Sequence, residues 1–253
     1  MKCCSAGLLF LWLLVGSLYA QEVPPLTTDR PGIGVGAGVI APGVFQLETG
    51  MSFDRISFAR TYLYGPTLWR YGLAPSVEFR LHVPAYLVAR GPEEKQQGFS
   101  DPLLGFKLGI YRARQTDHPE VGLLFELRLP RGASPFRAPA AQPSVTLAFD
   151  WPLHTSFSFS ANGTFTSYWS NRKRFDEGLI TATLNVALSE ALPAGAYFGY
   201  AWMFGPGRDP HYLEGGLTLL LMPDLQLDVN GGVGLHARRT YFIGAGLVQR
   251  FRF

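Results

Sequence analysis

Charge is scarce in this 253-residue chain. Asp, Glu, Lys and Arg make up 16% of it, against roughly 25% in an ordinary soluble protein. Cysteine is scarcer still. Its two copies, Cys3 and Cys4, precede the first apolar stretch, whereas a lipoprotein cysteine would follow it. A chain starting at Gln21 has no cysteine, which excludes a disulfide framework, a thiol nucleophile and a thiolate metal site. After residue 20 no apolar run reaches 18 residues, so no membrane-spanning helix is expected. No basic block is present, and loss of Lys2 would lower the net charge only from +3 to +2, so nucleic acid is not an expected partner.

The N-terminus has the form of a secretory signal peptide over residues 1–20. Lys2 supplies the positive start, Gly7 to Val15 the apolar core, and Gly16, Ser17 and Ala20 the small residues near a cleavage point. Residues 21–43 then form a Gly/Pro-rich segment on the periplasmic side. From residue 44 to 253 the pattern has period two. In "SVEFRLHV", Val77, Phe79, Leu81 and Val83 alternate with Ser76, Glu78, Arg80 and His82. In "LQLDVN", Leu225, Leu227 and Val229 alternate with Gln226, Asp228 and Asn230. "SFSFSANGTF" and "VFQLETGMSF" behave the same way. A helix would scatter these sets around its axis.

Turn signals divide the pattern into two alternating classes. Short ones occur at 71–76, 114–119, 151–156, 190–194 and 222–224. Longer, more charged breaks are expected at 54–60, 90–102, 130–143, 170–178, 205–210 and 236–239. Short turns at one rim and long loops at the other are the plan of an up-and-down transmembrane β-barrel. The segments number twelve, near 44–53, 61–71, 75–88, 103–113, 119–129, 144–150, 154–168, 178–188, 194–204, 211–221, 225–235 and 240–253. In lipid every backbone N–H and C=O must be paired, which a closed antiparallel sheet achieves. Trp69, Tyr71, Trp151, Trp169 and Trp202 fall near strand ends, where aromatic girdles belong. The final strand ends in Phe253, the feature through which outer-membrane proteins meet their insertion machinery. A soluble β-sandwich would need a more charged outer surface. These features predict residence in the outer membrane of a diderm bacterium, in contact with its lipids.

The polar faces would line the lumen. Glu48, Arg70, Glu78, Arg80, His82, Lys107, Glu126, Arg128, Glu214, Asp228, Arg250 and Arg252 are the candidate lining residues. They form either a selectivity ladder or ion pairs that fill and stiffen the interior. Catalysis has weak support. The histidines are His82, His118, His154, His211 and His236, no G-x-S-x-G elbow is present, and "HTS" (154–156) sits at a turn. No metal motif appears, no cofactor is expected, and Glu93 and Glu94 beside Lys95 read as a solvated loop.

Gly32, Gly34, Gly36 and Gly38 run G-x-G-x-G-x-G, which is not the dinucleotide spacing, and a strand rather than a helix follows. With Asp29 and Arg30 they form a candidate plug or gate, able to lie against or inside the barrel's mouth. The stretch "TTDRPGIGVGAGVIAPGVFQLETG", with Thr28, Asp29, Arg30 and Pro31, then Pro42, Gly43, Gln46, Leu47, Glu48 and Gly50, resembles the start of a bacterial outer-membrane transporter family named for a MetA pathway of phenol degradation. The segments 70–81 and 211–235 are similar to it as well. The resemblance implies a channel or transporter for passive passage of small molecules, hydrophobic or aromatic ones among them. The alternative is a non-conducting structural barrel with a plugged lumen.

Overall fold

A computed structural model of the chain describes residues 26–112, 118–170, 173–189, 193–206, 209–235 and 239–252. The signal-peptide residues, His236 and Phe253 lie outside the described residues. The described chain is all β, in one antiparallel sheet closed on itself. Its segments are β1 (Val44–Ile56), β2 (Ala59–Tyr64), β3 (Thr67–Ala74), β4 (Val77–Val83), β5 (Tyr86–Arg90), β6 (Lys95–Phe99), β7 (Leu103–Tyr111), β8 (Glu120–Arg128), β9 (Gln142–His154), β10 (Phe157–Ser170), β11 (Lys173–Ser189), β12 (Ala194–Phe204), β13 (His211–Met222), β14 (Leu225–Gly234) and β15 (Tyr241–Arg252).

Fifteen segments make twelve staves. β2 continues into β3, β4 into β5 and β6 into β7, each across a short break. Each break contains proline: Gly65–Pro66, Pro84–Ala85 and Ser100–Asp101–Pro102. Proline cannot donate to the ladder, so pairing lapses there and resumes beyond it. β15 pairs with β1 from Val44↔Arg252 to Arg55↔Tyr241, which closes the barrel; β6, above the Pro102 break, pairs with β5 alone.

The twelve-stranded antiparallel barrel is the architecture expected from the alternation, with differences in where strands stop. The expected break 54–60 is reduced to residues 57–58, because β1 runs to Ile56 and β2 starts at Ala59. The charged stretch 90–102 contains β6, which pairs with β5 from Tyr86↔Phe99 to Arg90↔Lys95. The stretch 170–178 is strand too. β10 and β11 stay in register to Ser170↔Lys173, held by Tyr168 stacked on Phe175 at 5.8 Å and by Arg174 Nε donating to Ser167 Oγ at 2.7 Å. β9 runs to His154, so the turn is confined to Thr155 and Ser156. Charge and glycine marked these stretches as loops. At 151–156 the mark was Pro152. In a barrel whose staves project beyond the lipid, charged residues can occupy the outer ends of strands.

The burial is inverted relative to a soluble protein. Exposed side chains include Met51, Trp69, Tyr71, Phe106, Phe165, Phe198, Leu217 and Ile243, all on the outward face. The buried set includes Gln46, Glu48, Arg70, Glu78, Arg80, Lys107, Asn162, Thr181, Glu214 and Asp228, all facing inward. Three of the few buried apolar residues, Ala37, Val39 and Ile40, precede the first strand. The core is a polar lumen with the N-terminal segment inside it. No helix of the described residues is long and apolar enough to cross a membrane, and the crossing elements of this fold are strands.

Candidate functional site

Residues 26–43 follow the inner wall. The backbone N–H groups of Asp29 and Arg30 donate to Glu48 on β1 (3.1–3.3 Å). Asn230 on β14 donates to the Pro31 carbonyl at 2.8 Å. Ile33 N–H reaches Glu214 on β13 at 3.0 Å, and Tyr197 on β12 donates to the same carboxylate. Val35 donates to Asn162 on β10 at 2.7 Å and accepts from its amide at 2.8 Å. Ala37 donates to Asp150 on β9 at 2.7 Å, and Ile40 to Glu78 on β4 at 3.0 Å. From residue 31 onward the path takes the strands in their order around the barrel, β14 to β4, and rejoins the wall at β1. A segment without strand pairing must place its buried backbone groups elsewhere; here inward side chains receive them.

Two adjacent side chains clasp separate parts of the wall. Asp29 accepts from Arg80 on β4, from Lys107 Nζ on β7 at 3.2 Å, and from the N–H of Gly36 at 3.0 Å. Arg30 makes a two-point pair with Asp228 on β14, at 2.8 and 3.0 Å. Around Asp29 the wall holds Arg70, paired to Glu78 (2.7 and 2.9 Å) and to Glu48 (2.7 Å), and Arg80, which also donates to Glu78 at 2.9 Å. Arg70 and Arg80 are direct cross-strand partners. Like charges so placed repel, and the interleaved carboxylates offset this. The wall offers Arg70, Arg80 and Lys107 against Glu48, Glu78 and Glu126, but among the described residues the only carboxylate within 4 Å of Lys107 is Asp29. Burial raises the Asp29 pKa, but Arg80, Lys107 and Arg70 together hold it well below the usual carboxylate range.

The other expected lining residues are placed as follows. Glu126 accepts from His82 at 2.7 Å and lies 3.7 Å from Arg80. Arg128 ends β8 and is exposed. Arg250 and Arg252 both bind Asp224 in the β13–β14 turn, at the rim. His154 accepts from the N–H of Ser156, so the "HTS" stretch caps its own turn. Of the four alternating glycines, Gly34 is the one for which a Cβ has no room: it would meet Asn162 Oδ1, and Thr181 Oγ1 at 2.8 Å.

Several contributors had no sequence signal of their own. Asp150, Asn162, Tyr197 and Asn230 look like ordinary inward polar residues. Gly72 and Gly122 look like routine strand glycines, yet the carbonyls of Ala41 and Ala37 lie where their side chains would be. Under the segment, toward the end of the barrel holding β1's start, is a cavity of about 690 Å³. Ser158, Ser160, Thr183, Asn185 and Gln226 line it, facing Thr27 to Gly36.

A closed antiparallel barrel, apolar outside and polar inside, with a pre-strand segment hydrogen-bonded across its lumen, defines the chain as an outer-membrane-type β-barrel. Residues 28–251 match the family described as "Putative MetA-pathway of phenol degradation", and the chain belongs to that family. Among solved structures, it is similar to the COG4313 outer membrane channel from Pseudomonas putida F1, with 13% identity, a TM-score of 0.65, and coverage of 88% of this chain and 100% of that one. It is also similar to the NanC porin (8% identity, TM-score 0.55, 82% and 100% covered) and to the CymD monoaromatic hydrocarbon channel (8%, 0.50, 85% and 90%). At these identities the likeness is one of fold. No curated protein matches the sequence.

Proposed function

We propose that this chain is an outer-membrane channel for passive passage of small molecules, restricted by residues 26–43. The observation that carries the reading is how the segment is held. It makes no ladder with the barrel. Individual side-chain bonds retain it instead, each worth about 0.5–1.5 kcal/mol net when neutral, so a solute able to take them over can displace it piecewise. Passage needs no cofactor and no energy source. Residues 1–20 are removed on export, the terminal strand engages the insertion machinery, and the termini lie on the periplasmic side.

The family name points to aromatic solutes. The described lumen is polar, and its large aromatic side chains mostly face outward. A phenol-type solute, whose hydroxyl can replace a backbone donor or acceptor, suits Asn162, Asp150 and Glu214 better than a bare hydrocarbon does. The buried ion pairs around Arg70 support the second reading, a barrel permanently closed by its own segment.

Liposome swelling with sugars, nucleosides, phenol and benzoate separates the two. The channel reading expects swelling with at least one solute class. It also expects that swelling to fall in a Val39→Cys/Gly109→Cys variant when oxidised, and to return on reduction. A Cβ at Gly109 would lie 3.6 Å from Val39 Cγ2, in van der Waals contact, which makes this the position on β7 at which to cross-link the segment. Swelling by no solute would favour the closed barrel.

A further inference from the structure

The outward end of the β1–β2–β5–β6 sheet carries an unusual row. Arg55 pairs with Arg60, Arg60 with Arg90, and Arg90 with Lys95. Cross-strand partners share a face, so four cations stand side by side on four adjacent strands. At about 4.8 Å per strand the row is roughly 14 Å wide. Like charges directly opposite one another are destabilising. Among the described residues no carboxylate lies within 4 Å of any of the four. Arg55 donates to the Ser57 carbonyl at 3.1 Å, and Arg90 lies over the Tyr62 ring at 5.8 Å. Glu93 and Glu94 are in the hairpin turn beyond the row, and Asp54 faces the lumen, where it bonds Ser52. By contrast, the β10–β11 hairpin, on the other side of the barrel, balances Arg174 with Asp176 at 3.3 Å.

The height of the row is informative. The outward face of β1 reads Phe45, Leu47, Thr49, Met51, Phe53 and then Arg55. Ten residues of strand span about 34 Å, and a tilt near 40° reduces this to about 26 Å, the height of the apolar band of such barrels. Below the cations, Phe53 packs on Tyr62 at 5.0 Å, and Tyr86 meets Phe99 at 5.3 Å. Met51, Tyr64, Tyr86 and Phe99 form one cross-strand row, in which Met51, Tyr64 and Phe99 are exposed. The row therefore sits where hydrocarbon gives way to headgroups, with an apolar bed for acyl chains beneath it.

We infer that Arg55, Arg60, Arg90 and Lys95 form a binding site for the phosphorylated headgroup of a lipid in the leaflet away from the termini, its acyl chains lying on Met51, Tyr64 and Phe99. Guanidinium forks match phosphate oxygens, and an anion there removes the mutual repulsion of the four cations. The site depends on the barrel lying in a membrane and not on its conducting.

The test uses the purified mature barrel in dodecyl maltoside, titrated with diphosphoryl lipid A, with the dephosphorylated lipid and with inorganic phosphate. Bound lipid is read by native mass spectrometry and unfolding by thermal melt. Diphosphoryl lipid A should bind at least tenfold more tightly than its dephosphorylated form, raise the melting temperature by several degrees, and weaken in 0.5 M NaCl. The fourfold Arg55→Gln, Arg60→Gln, Arg90→Gln, Lys95→Gln variant should lose both effects while melting no lower than the parent without lipid. Should that variant fail to show the heat-dependent gel shift of a folded barrel, Arg60→Gln and Arg90→Gln singly should each lose several-fold affinity, and Arg60→Lys should retain most of it. Equal binding by the parent and the neutralised variants, equal binding of the two lipids, or an equal melting shift from inorganic phosphate would each overturn the proposal.

Discussion

The two halves of the lumen wall hold the same segment by different means. From β1 to β8 the wall is charged: Glu48, Arg70, Glu78, Arg80, Lys107 and Glu126 form one network into which Asp29 inserts as the carboxylate of Lys107 and a further partner of Arg80. From β9 to β13 it is mostly neutral, with Thr146, Asn162, Thr181 and Thr183 between the single acids Asp150 and Glu214, and it takes the segment's backbone amides one at a time. The charged half is an anchor that is costly to break. The neutral half is a surface from which the segment can be peeled, and the 690 Å³ cavity opens against it.

The largest effect should come from the anchor. Asp29→Ala leaves the buried Lys107 without its carboxylate and removes one of the partners of Arg80, and breaking a buried pair typically costs about 3–5 kcal/mol. Bilayer recordings of this variant should show a several-fold rise in conductance, with a lower melting temperature. Unchanged conductance would mean that the anchor does not hold the segment in place.

The pH response follows the same group. The Asp29 pKa is depressed in the folded state, so its stabilisation is complete above about pH 4, the range of a free carboxylate, and is lost as pH falls through the folded value. Conductance should stay flat from pH 8 to 5 and rise only in stronger acid, while Asp29→Asn should lose this acid step. A parent transition near neutral pH would point to another group.

Next in size is Asp228→Asn. It weakens the partner of Arg30, a charge-assisted bond of about 1.5–3 kcal/mol, and should raise conductance less than Asp29→Ala does. On the neutral half, Asn162→Ala removes two uncharged bonds and should cost about 1–2 kcal/mol of segment retention, visible as brief openings rather than a new steady level. The smallest contrast lies within the segment. Gly34→Ala must push against Asn162 and Thr181, whereas a Cβ at Gly36 would have ordinary contacts, 3.4 Å and longer. Only the former should alter gating; equal effects would argue for a role of glycine other than close packing.

The barrel was largely legible because period two assigns each residue to a face without knowledge of its partners. That is why Glu48, Arg70, Glu78, Arg80, Lys107, Glu214 and Asp228 could be named from the sequence. Their grouping was not legible. Whether Arg70 meets Glu78 depends on register and on closure of β1 against β15, and neither is written in local pattern. The segment's neutral partners were missed because Asn162 and Asp150 differ from other inward polar residues only in what lies opposite them. The stretches 90–102 and 170–178 were misplaced because proline, glycine and charge signal loops, and the outer ends of barrel strands can carry all three. Arg250 and Arg252 share the lumen-facing parity but end at the rim, where Asp224 takes both.

The central claim is that residues 26–43 set the barrel's permeability. Single-channel conductance of the mature chain, compared with one lacking Thr27 to Ile40 under identical salt and voltage, tests it most directly. The account predicts small or intermittent currents for the intact chain and a steady, several-fold larger conductance for the shortened one. Equal conductance in two folded barrels would contradict it.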